Sequence, residues 1–527
     1  MNMKSAAAAV SLFLSLLLPL GVAAARDASK QATPPNIIVI MTDDQRDVDP
    51  LERMPNVQAL MVGQGVRFVN SFAVNPVCCA SRASFLTGQY SHNDGIWDNK
   101  SGPRPGGFKD FKGDDNTIAC WTQAAGYRTA LIGKYLNGYG KGKAAKYIPP
   151  CWNYWWGLTH PFRYYDYEAN DNGTVRVYGK RDSDYQEDVV SGLAQQFITQ
   201  SKQPFFLWIT GIAPHAGYPA VNVPVPPKRY KDTFKNLKLP RPPNFNEAGF
   251  ADKPRFLRRH MPLMDKASVD LARQSYRRRA ETVLAADDMV GAIIGLLQSK
   301  GMLANTYIVF TSDNGYFNGE HRIPVGKHLL YEESLRVPLV IRGPGIPAGQ
   351  TRAEMVSNLD LSATVVQLAG ATPGRTLDGR SLAPLFAGDQ PWRTAMLMEG
   401  ADVLPLGGDE TVYGYYSAVR SADYIYAEHV NRQEKHVGAE FYDLGADPYQ
   451  LESRPDDPKY QQLIAQLKPM LANLRGCSGD SCWIGDALAK APPQRTVKPD
   501  IGSVCTVRCG HLDLKHPLER AEAPDVR

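Results

Sequence analysis

Two acidic pairs stand where ligand chemistry is commonly built. Asp43-Asp44 directly follows the apolar run NIIVIM at 36–41, and Asp313-Asn314 directly follows TYIVFTS at 306–312. Open α/β sheets gather their ligand sites at the carboxyl ends of strands. Three carboxylates and one amide oxygen meeting there would make a hard-oxygen cluster, suited to Ca2+ or Mg2+ and not to zinc. Taken singly, each pair is an ordinary turn or helix cap. Asp287-Asp288, inside a long helical stretch, is a contrasting pair and reads as a solvated or structural helix face. The eight cysteines show no zinc spacing. Cys477 with Cys482 and Cys505 with Cys509 could close small loops, Cys120 with Cys151 is a plausible third pair, and the pairing stays open from sequence. The adjacent Cys78-Cys79 fits no such scheme.

Residues 76–88, PVCCASRASFLTG, hold the most specific pattern. It resembles the type I sulfatase signature through Cys78, Ala80, Ser81, Arg82, Leu86, Thr87 and Gly88. A second stretch, GYRTALIGKYL at 126–136, resembles the second signature of that family and places its lysine at Lys134. The resemblance runs from about residue 36 to 475. GKYLN and YIPPCWNYWWGL are similar to the branch of N-acetylglucosamine-6-sulfatases, heparan endosulfatases and microbial arylsulfatases. Ala80 stands where most members carry Pro, and Asn137 where many arylsulfatases place a His shortly after the lysine.

The resemblance implies hydrolysis of sulfate monoesters, either aryl sulfates or a 6-O-sulfated glucosamine-type sugar. It implies that a formylglycine-generating maturation enzyme oxidises Cys78 to Cα-formylglycine, with Cys79 a buried bystander and the other six cysteines in three disulfides. Asp43, Asp44, Asp313, Asn314 and position 78 are then the Ca2+ ligands, with Mg2+ as the alternative ion. The hydrated aldehyde answers a physical need. One hydroxyl, lowered in pKa by the metal, would attack sulfur and displace the alcohol, and the second would then lose its proton and expel sulfate to restore the aldehyde, whereas a serine would be left sulfated. Arg82 would hold the hydrate, and Lys134 and Lys327 the sulfate oxygens. His215, in APHAGYP, would serve the sulfate or the leaving oxygen, and Asn137 would lie near the nucleophile. His321 and His328 stay outside this set. Two rivals remain: a phosphonate or phosphodiester hydrolase of the same superfamily, and an inactive sulfate- or glycan-binding protein with an unmodified Cys78.

Positioning these groups calls for strands at 36–41, 128–132, 204–210 and 306–312, alternating with helices at 56–64, 185–200 and 267–299. Residues 81–87 read as helical, so position 78 opens a helix, whose N-terminus favours anions. The expected fold is an alkaline-phosphatase-like α/β domain on a mostly parallel sheet, followed by a smaller α+β domain with an antiparallel sheet. YYSAVRSADYIYAEH and EFYDL supply that second sheet, and 458–474 a helix. The aromatics at 152–167 read as packing beside a hairpin turning at Asn172-Gly173. Arg277 to Arg279 reads as a solvated helix face. The organisation expected is a signal peptide at 1–25, a catalytic domain at 26–385, and a C-terminal subdomain and tail at 386–527.

The whole-chain arithmetic agrees. With 527 residues, 43% hydrophobic and 21% charged, the chain is globular, not fibrous or disordered. A net charge of +5 demands no nucleic-acid partner. Lys4, the apolar stretch 6–22 and Ala23-Ala24-Ala25 read as a secretory signal, with no other segment suited to membrane insertion. Export to the periplasm or the medium is expected, or to a lysosome in an animal cell. Asn99-Lys100-Ser101 and Asn172-Gly173-Thr174 are glycosylation sequons.

Overall fold

Short apolar runs form the central strands of one ten-stranded sheet in this computed structural model. It describes residues 33–47, 51–217, 223–404 and 411–484. The expected signal peptide, Cys505 and Cys509 lie outside the described residues. The strands are β1 (Asn36–Thr42), β2 (Val66–Phe72), β3 (Arg128–Gly133), β4 (Tyr154–Leu158), β5 (Tyr167–Asp171), β6 (Thr174–Tyr178), β7 (Phe205–Thr210), β8 (Thr306–Ser312), β9 (Leu339–Arg342) and β10 (Gln350–Ser357). They lie in the order β10-β2-β9-β8-β1-β7-β3-β4-β5-β6. The middle five, β8-β1-β7-β3-β4, are mutually parallel, and antiparallel pairs flank them on both sides.

Strand alternation sorts β1 between two cores. Ile37, Val39 and Met41 face one core with the helices Cys78–Thr87 and Asn358–Ala369. Ile38 and Ile40 face the other with Gln186–Gln200 and Lys266–Ser299. Full burial of each such side chain contributes about 1.5–3 kcal/mol relative to exposure. Burial on both faces explains why the central strands read as continuous apolar runs.

A second, antiparallel sheet follows: β11 (Ala395–Leu404), β12 (Thr411–Ser421), β13 (Tyr424–Asn431) and β14 (His436–Asp443). The helix Gln461–Leu474 buries Ile464, Leu467, Leu471 and Leu474 against it. Disulfides join Cys120 to Cys151 and Cys477 to Cys482, while Cys78 and Cys79 are free and buried.

Two expectations need correction. The stretch 56–64 is no regular α-helix. It is a π-helical turn, Val57–Met61, and a 3-10 turn, Val62–Gln64. Its start is held by buried Asp287, which accepts from the backbone of Asn56 and Val57, so Asp287 is a structural anchor. The second correction is Arg279. It is buried, not solvated, because it falls on the i, i+3, i+4 stripe of Ala272, Ser275, Tyr276, Ala280 and Val283 that faces the protein. The aromatics Trp155, Trp156, Tyr164 and Tyr167 are buried in the two cores, as packing requires.

Candidate active site

The parallel strands β1, β3, β7 and β8 end together, and each delivers polar groups at its carboxyl end. Asp43 and Asp44 leave β1, Lys134 leaves β3, His215 follows β7, and Asp313 and Asn314 leave β8. Gly133, at φ 131°, brings β3 so close to β7 that a Cβ would lie 2.1 Å from the Thr210 carbonyl oxygen. Lys134 N then donates to that oxygen at 2.7 Å, which aims the lysine across the strand ends.

Cys78 enters from the side as the first residue of the buried helix Cys78–Thr87, which ends at Gly88 with φ +70°. Asn99 Oδ1 accepts from Cys79 N at 3.0 Å and satisfies one of the orphan amides of that helix N-terminus. The Cys78 thiol lies 3.3 Å from Asp43 Oδ1, and Lys327 Nζ donates to Sγ at 2.8 Å. Lys327 also pairs with Asp44, and Lys134 with Asp43. Arg82, one turn along the helix, donates from Nε to Asp313 at 2.8 Å, from NH1 to Lys134 O at 2.8 Å, and stands 3.4 Å from Asp43. His215 Nε2 is 3.6 Å from Asp44, while its Nδ1 lies 2.6 Å from Ala216 O. Nine expected site residues therefore share one buried cluster. Asn137 stands slightly aside: the Cys79 thiol lies against its backbone, and its own side-chain oxygen is buried without a partner.

The charges explain themselves. Burial pushes Asp43 up, but Lys134, His215 and Arg82 outweigh it and hold Asp43 well below the usual carboxylate range. Burial likewise raises Asp44, and Lys327 and His215 reverse the sign. Asp313 goes up through burial and its neighbour Asp43. Burial and Asp43 push the Cys78 thiol up despite both lysines. Burial lowers His215.

The oxygens fit a hard divalent cation. Asn314 Nδ2 donates to Asp44 and to Gly315 O, yet Asn314 Oδ1 is fully buried with no hydrogen-bond partner. An orphaned buried acceptor beside three carboxylates is costly unless a cation takes it up. The ligand atoms of Asp43, Asp44, Cys78 and His215 also lie within 4.8 Å of one another.

Arg279 was not among the expected site residues. It donates from NH1 to Pro214 O at 3.0 Å and from NH2 to Asp44 O, and stacks over Tyr316 at 3.8 Å. Asp44 has φ +68°, a strained value for a non-glycine residue, and Arg279 ties it to the His215 loop. The helical stripe described above is the sequence signal that could have revealed it. Glu187 supports the same loop by accepting from Ala213 N at 2.7 Å, and burial lifts its carboxyl to about 7. His321 pairs with Glu247 at 3.0 Å and contacts Asn244, and His328 N donates to Pro76 O.

The family model for sulfatases matches residues 35–371. The chain belongs to the sulfatase family. A model for the C-terminal region of N-sulphoglucosamine sulphohydrolase matches residues 319–476, so the sulfatase resembles known members in its second sheet as well. It is 32% identical to the N-acetylglucosamine-6-sulfatase of Capra hircus over 88% of this chain and 87% of that one. It is 35% identical to an extracellular sulfatase of Drosophila melanogaster over 67% of this chain and 31% of that one. A solved structure in complex with its substrate D-glucosamine-2-N,6-O-disulfate aligns with TM-score 0.69 and 26% identity, covering 84% of this chain and 97% of that one. The sulfatase is thus a sulfuric ester hydrolase on an α/β fold with a largely parallel sheet. Among its described residues no helix is long and apolar enough to cross a membrane.

Proposed function

We propose that this sulfatase is an exported enzyme that removes sulfate from 6-O-sulfated glucosamine-type sugars, with Cys78 matured to Cα-formylglycine beside a Ca2+ ion. One observation carries the reading: residue 78 opens a buried helix at the meeting point of three carboxylates and three fixed cations, within contact of Asp43 and Lys327. The sugar class is supported by the name of the Capra hircus relative and by the ligand of the solved structure. Export is supported by the signal sequence and by the extracellular relative.

The hydrated aldehyde at position 78 would supply an oxygen nucleophile and a second hydroxyl able to expel sulfate. Ca2+ held by Asp43, Asp44, Asp313 and Asn314 would supply the charge that lowers the pKa of that hydroxyl. The chain's own groups do the rest. Arg82 is locked by Asp313 and the Lys134 carbonyl, so its guanidinium stays beside residue 78. Lys134 and Lys327 turn from their carboxylates to the sulfate oxygens, where preorganised positive charge stabilises the transferring group. With Nδ1–H donating to Ala216 O, the Nε2 of His215 is left to hold or pass a proton at the leaving oxygen. Burial of the carboxylates, Arg82 and Lys134, with only the His215 edge partly exposed, strengthens these contacts.

The decisive test pairs mass spectrometry of the peptide spanning Cys78, in protein from its native host, with turnover of an aryl sulfate, a phosphate monoester and a phosphodiester. An aldehyde mass and preferential sulfate release are expected, and Cys78→Ala should abolish turnover while leaving the melting temperature near that of the parent. A free thiol would favour the inactive binding protein. Cleavage of only the phosphorus esters would favour the rival hydrolase.

A further inference from the structure

Between Lys228 and Arg279 the sequence holds fifteen Lys and Arg against five Asp and Glu, an excess larger than the +5 of the whole chain. The rest of the molecule is therefore net acidic. Many of these cations are spoken for: Lys228 pairs with Asp182, Arg229 with Asp188 and Asp288, Arg273 with Asp270, and Arg278 with Glu281. Arg255, Arg258 and Arg259 are not. They sit on one short helix, Arg255–His260, at i, i+3 and i+4, all three exposed and with no carboxylate partner among the described residues. Like charges at this spacing repel and cost helix stability, though proximity to the helix C-terminus offsets some of that cost.

The place of this helix gives the charge a use. The excursion that carries it leaves β7 at the carboxyl end, the sheet edge that holds Asp43, Lys134 and Asp313. It then packs over the loop bearing Lys327: Asn246 N donates to Gly319 O, Glu247 holds His321, and Arg322 bonds to the carbonyls of Glu247, Ala248 and Met261. The arginine helix packs on that same loop, since its buried Leu257 joins one cluster with Phe317, Ile323, Leu329 and Leu330 on either side of Lys327. Its other side is already used, since Leu257 is buried and Phe256 stacks on Tyr413 at 5.8 Å. Among the described residues this helix presents no exposed apolar face to a bilayer, and Leu263 is the exposed large apolar side chain that follows it in sequence.

We propose that Arg255, Arg258 and Arg259 dock the continuing chain of a sulfated polysaccharide whose end or branch enters the active site. The guanidinium fork matches sulfate oxygens two at a time, and a polymer sulfated at regular intervals supplies several such groups in a row. This inference rests on the sulfated-sugar reading above, so its test is separated from turnover. Binding of a sulfated glucosaminoglycan octasaccharide is measured by calorimetry on full-length Cys78→Ala, with and without R255S/R258S/R259S, across a salt series. The triple variant is expected to bind about tenfold more weakly and to lower the slope of log Kd against log salt by about 2 to 3. In the active enzyme it should leave kcat/KM for an aryl sulfate unchanged and lower it for the octasaccharide.

Unchanged octasaccharide binding with a lowered melting temperature would overturn the proposal and reduce the arginines to complements of the helix dipole. Equal or stronger patch-dependent binding to phosphatidylserine vesicles or to single-stranded DNA would also overturn it, in favour of a membrane or nucleic acid. If the active enzyme releases no sulfate yet Cys78→Ala still binds the octasaccharide through the patch, the docking stands and the catalytic reading falls.

Discussion

Arg279 shows how much a site depends on groups that never meet the substrate. It binds two carbonyls, those of Asp44 and Pro214, and so sets the spacing between the Asp44 carboxylate and the His215 loop. Removing it leaves two buried acceptors unpaired, at a cost of about 1–3 kcal/mol each. Arg279→Met is expected to lower kcat by about 100-fold with little change in KM, because misplacement of about 1 Å carries that penalty. Arg279→Lys should recover part of the loss, and a mutant with lowered stability but normal kcat would leave Arg279 a purely structural role. A second residue-scale expectation concerns the cation. Ca2+ added to chelator-treated protein should raise the melting temperature, by about 2.7 kcal/mol of stability at 100 times Kd. Asp313→Asn should blunt that rise. Calcium-independent melting of the parent would remove the metal from the reading.

At the scale of elements, the helix Ser91–Asp94 is tied to the second sheet by one ion pair. His92 Nδ1 lies 3.0 Å from Glu399 on β11, and its Nε2 contacts the Cys477 carbonyl at 2.9 Å. Burial works against the charged ring, yet the bond to Glu399 and the Cys477 carbonyl prevail and lift its pKa to about 9. The sign follows from linkage. A raised native pKa gives stability that is complete below the unfolded value near 6.5 and is lost as pH climbs through about 9. Thermal stability should therefore fall over that window, and His92→Asn should flatten the fall; an unaltered profile would show that other groups set it. This tie was invisible in sequence because 307 positions separate its partners. The helix that opens at Cys78 is the opposite case: its residues are contiguous, and local pattern alone placed its start.

At the scale of the molecule, the two sheets share their cores. Phe72, Phe317, Leu329 and Leu335 of the first unit pack in one cluster with Met398, Ala418, Ile425 and Tyr442 of the second. Val74 and Leu359 join another cluster with Leu397, Val419 and the helix Gln461–Leu474. A chain ending at residue 385 would expose these surfaces. It is expected to aggregate or to lack a cooperative melting transition, whereas the full chain should melt as one unit. A stable, monomeric fragment 26–385 would show that the sheets are independent. Composition marked the second sheet by its aromatic, alternating strands, and nothing in the sequence reported that its inner face completes the first domain.

The sequence by itself determined the strands, because runs such as NIIVIM and TYIVFTS can only be satisfied by burial on both faces, and with them the acidic pairs that must follow. It also determined the signature around Cys78, whose residues all lie on one helix, Cys78–Thr87, and its Gly88 cap. Only the tertiary structure decided which distant groups meet: Lys327 at the Cys78 thiol, the unpartnered Asn314 oxygen beside Asp44, and Arg279 beneath the strand ends. The division has one physical cause. Backbone periodicity and capping act over a few residues, whereas burying charge requires partners that only a closed fold can bring together.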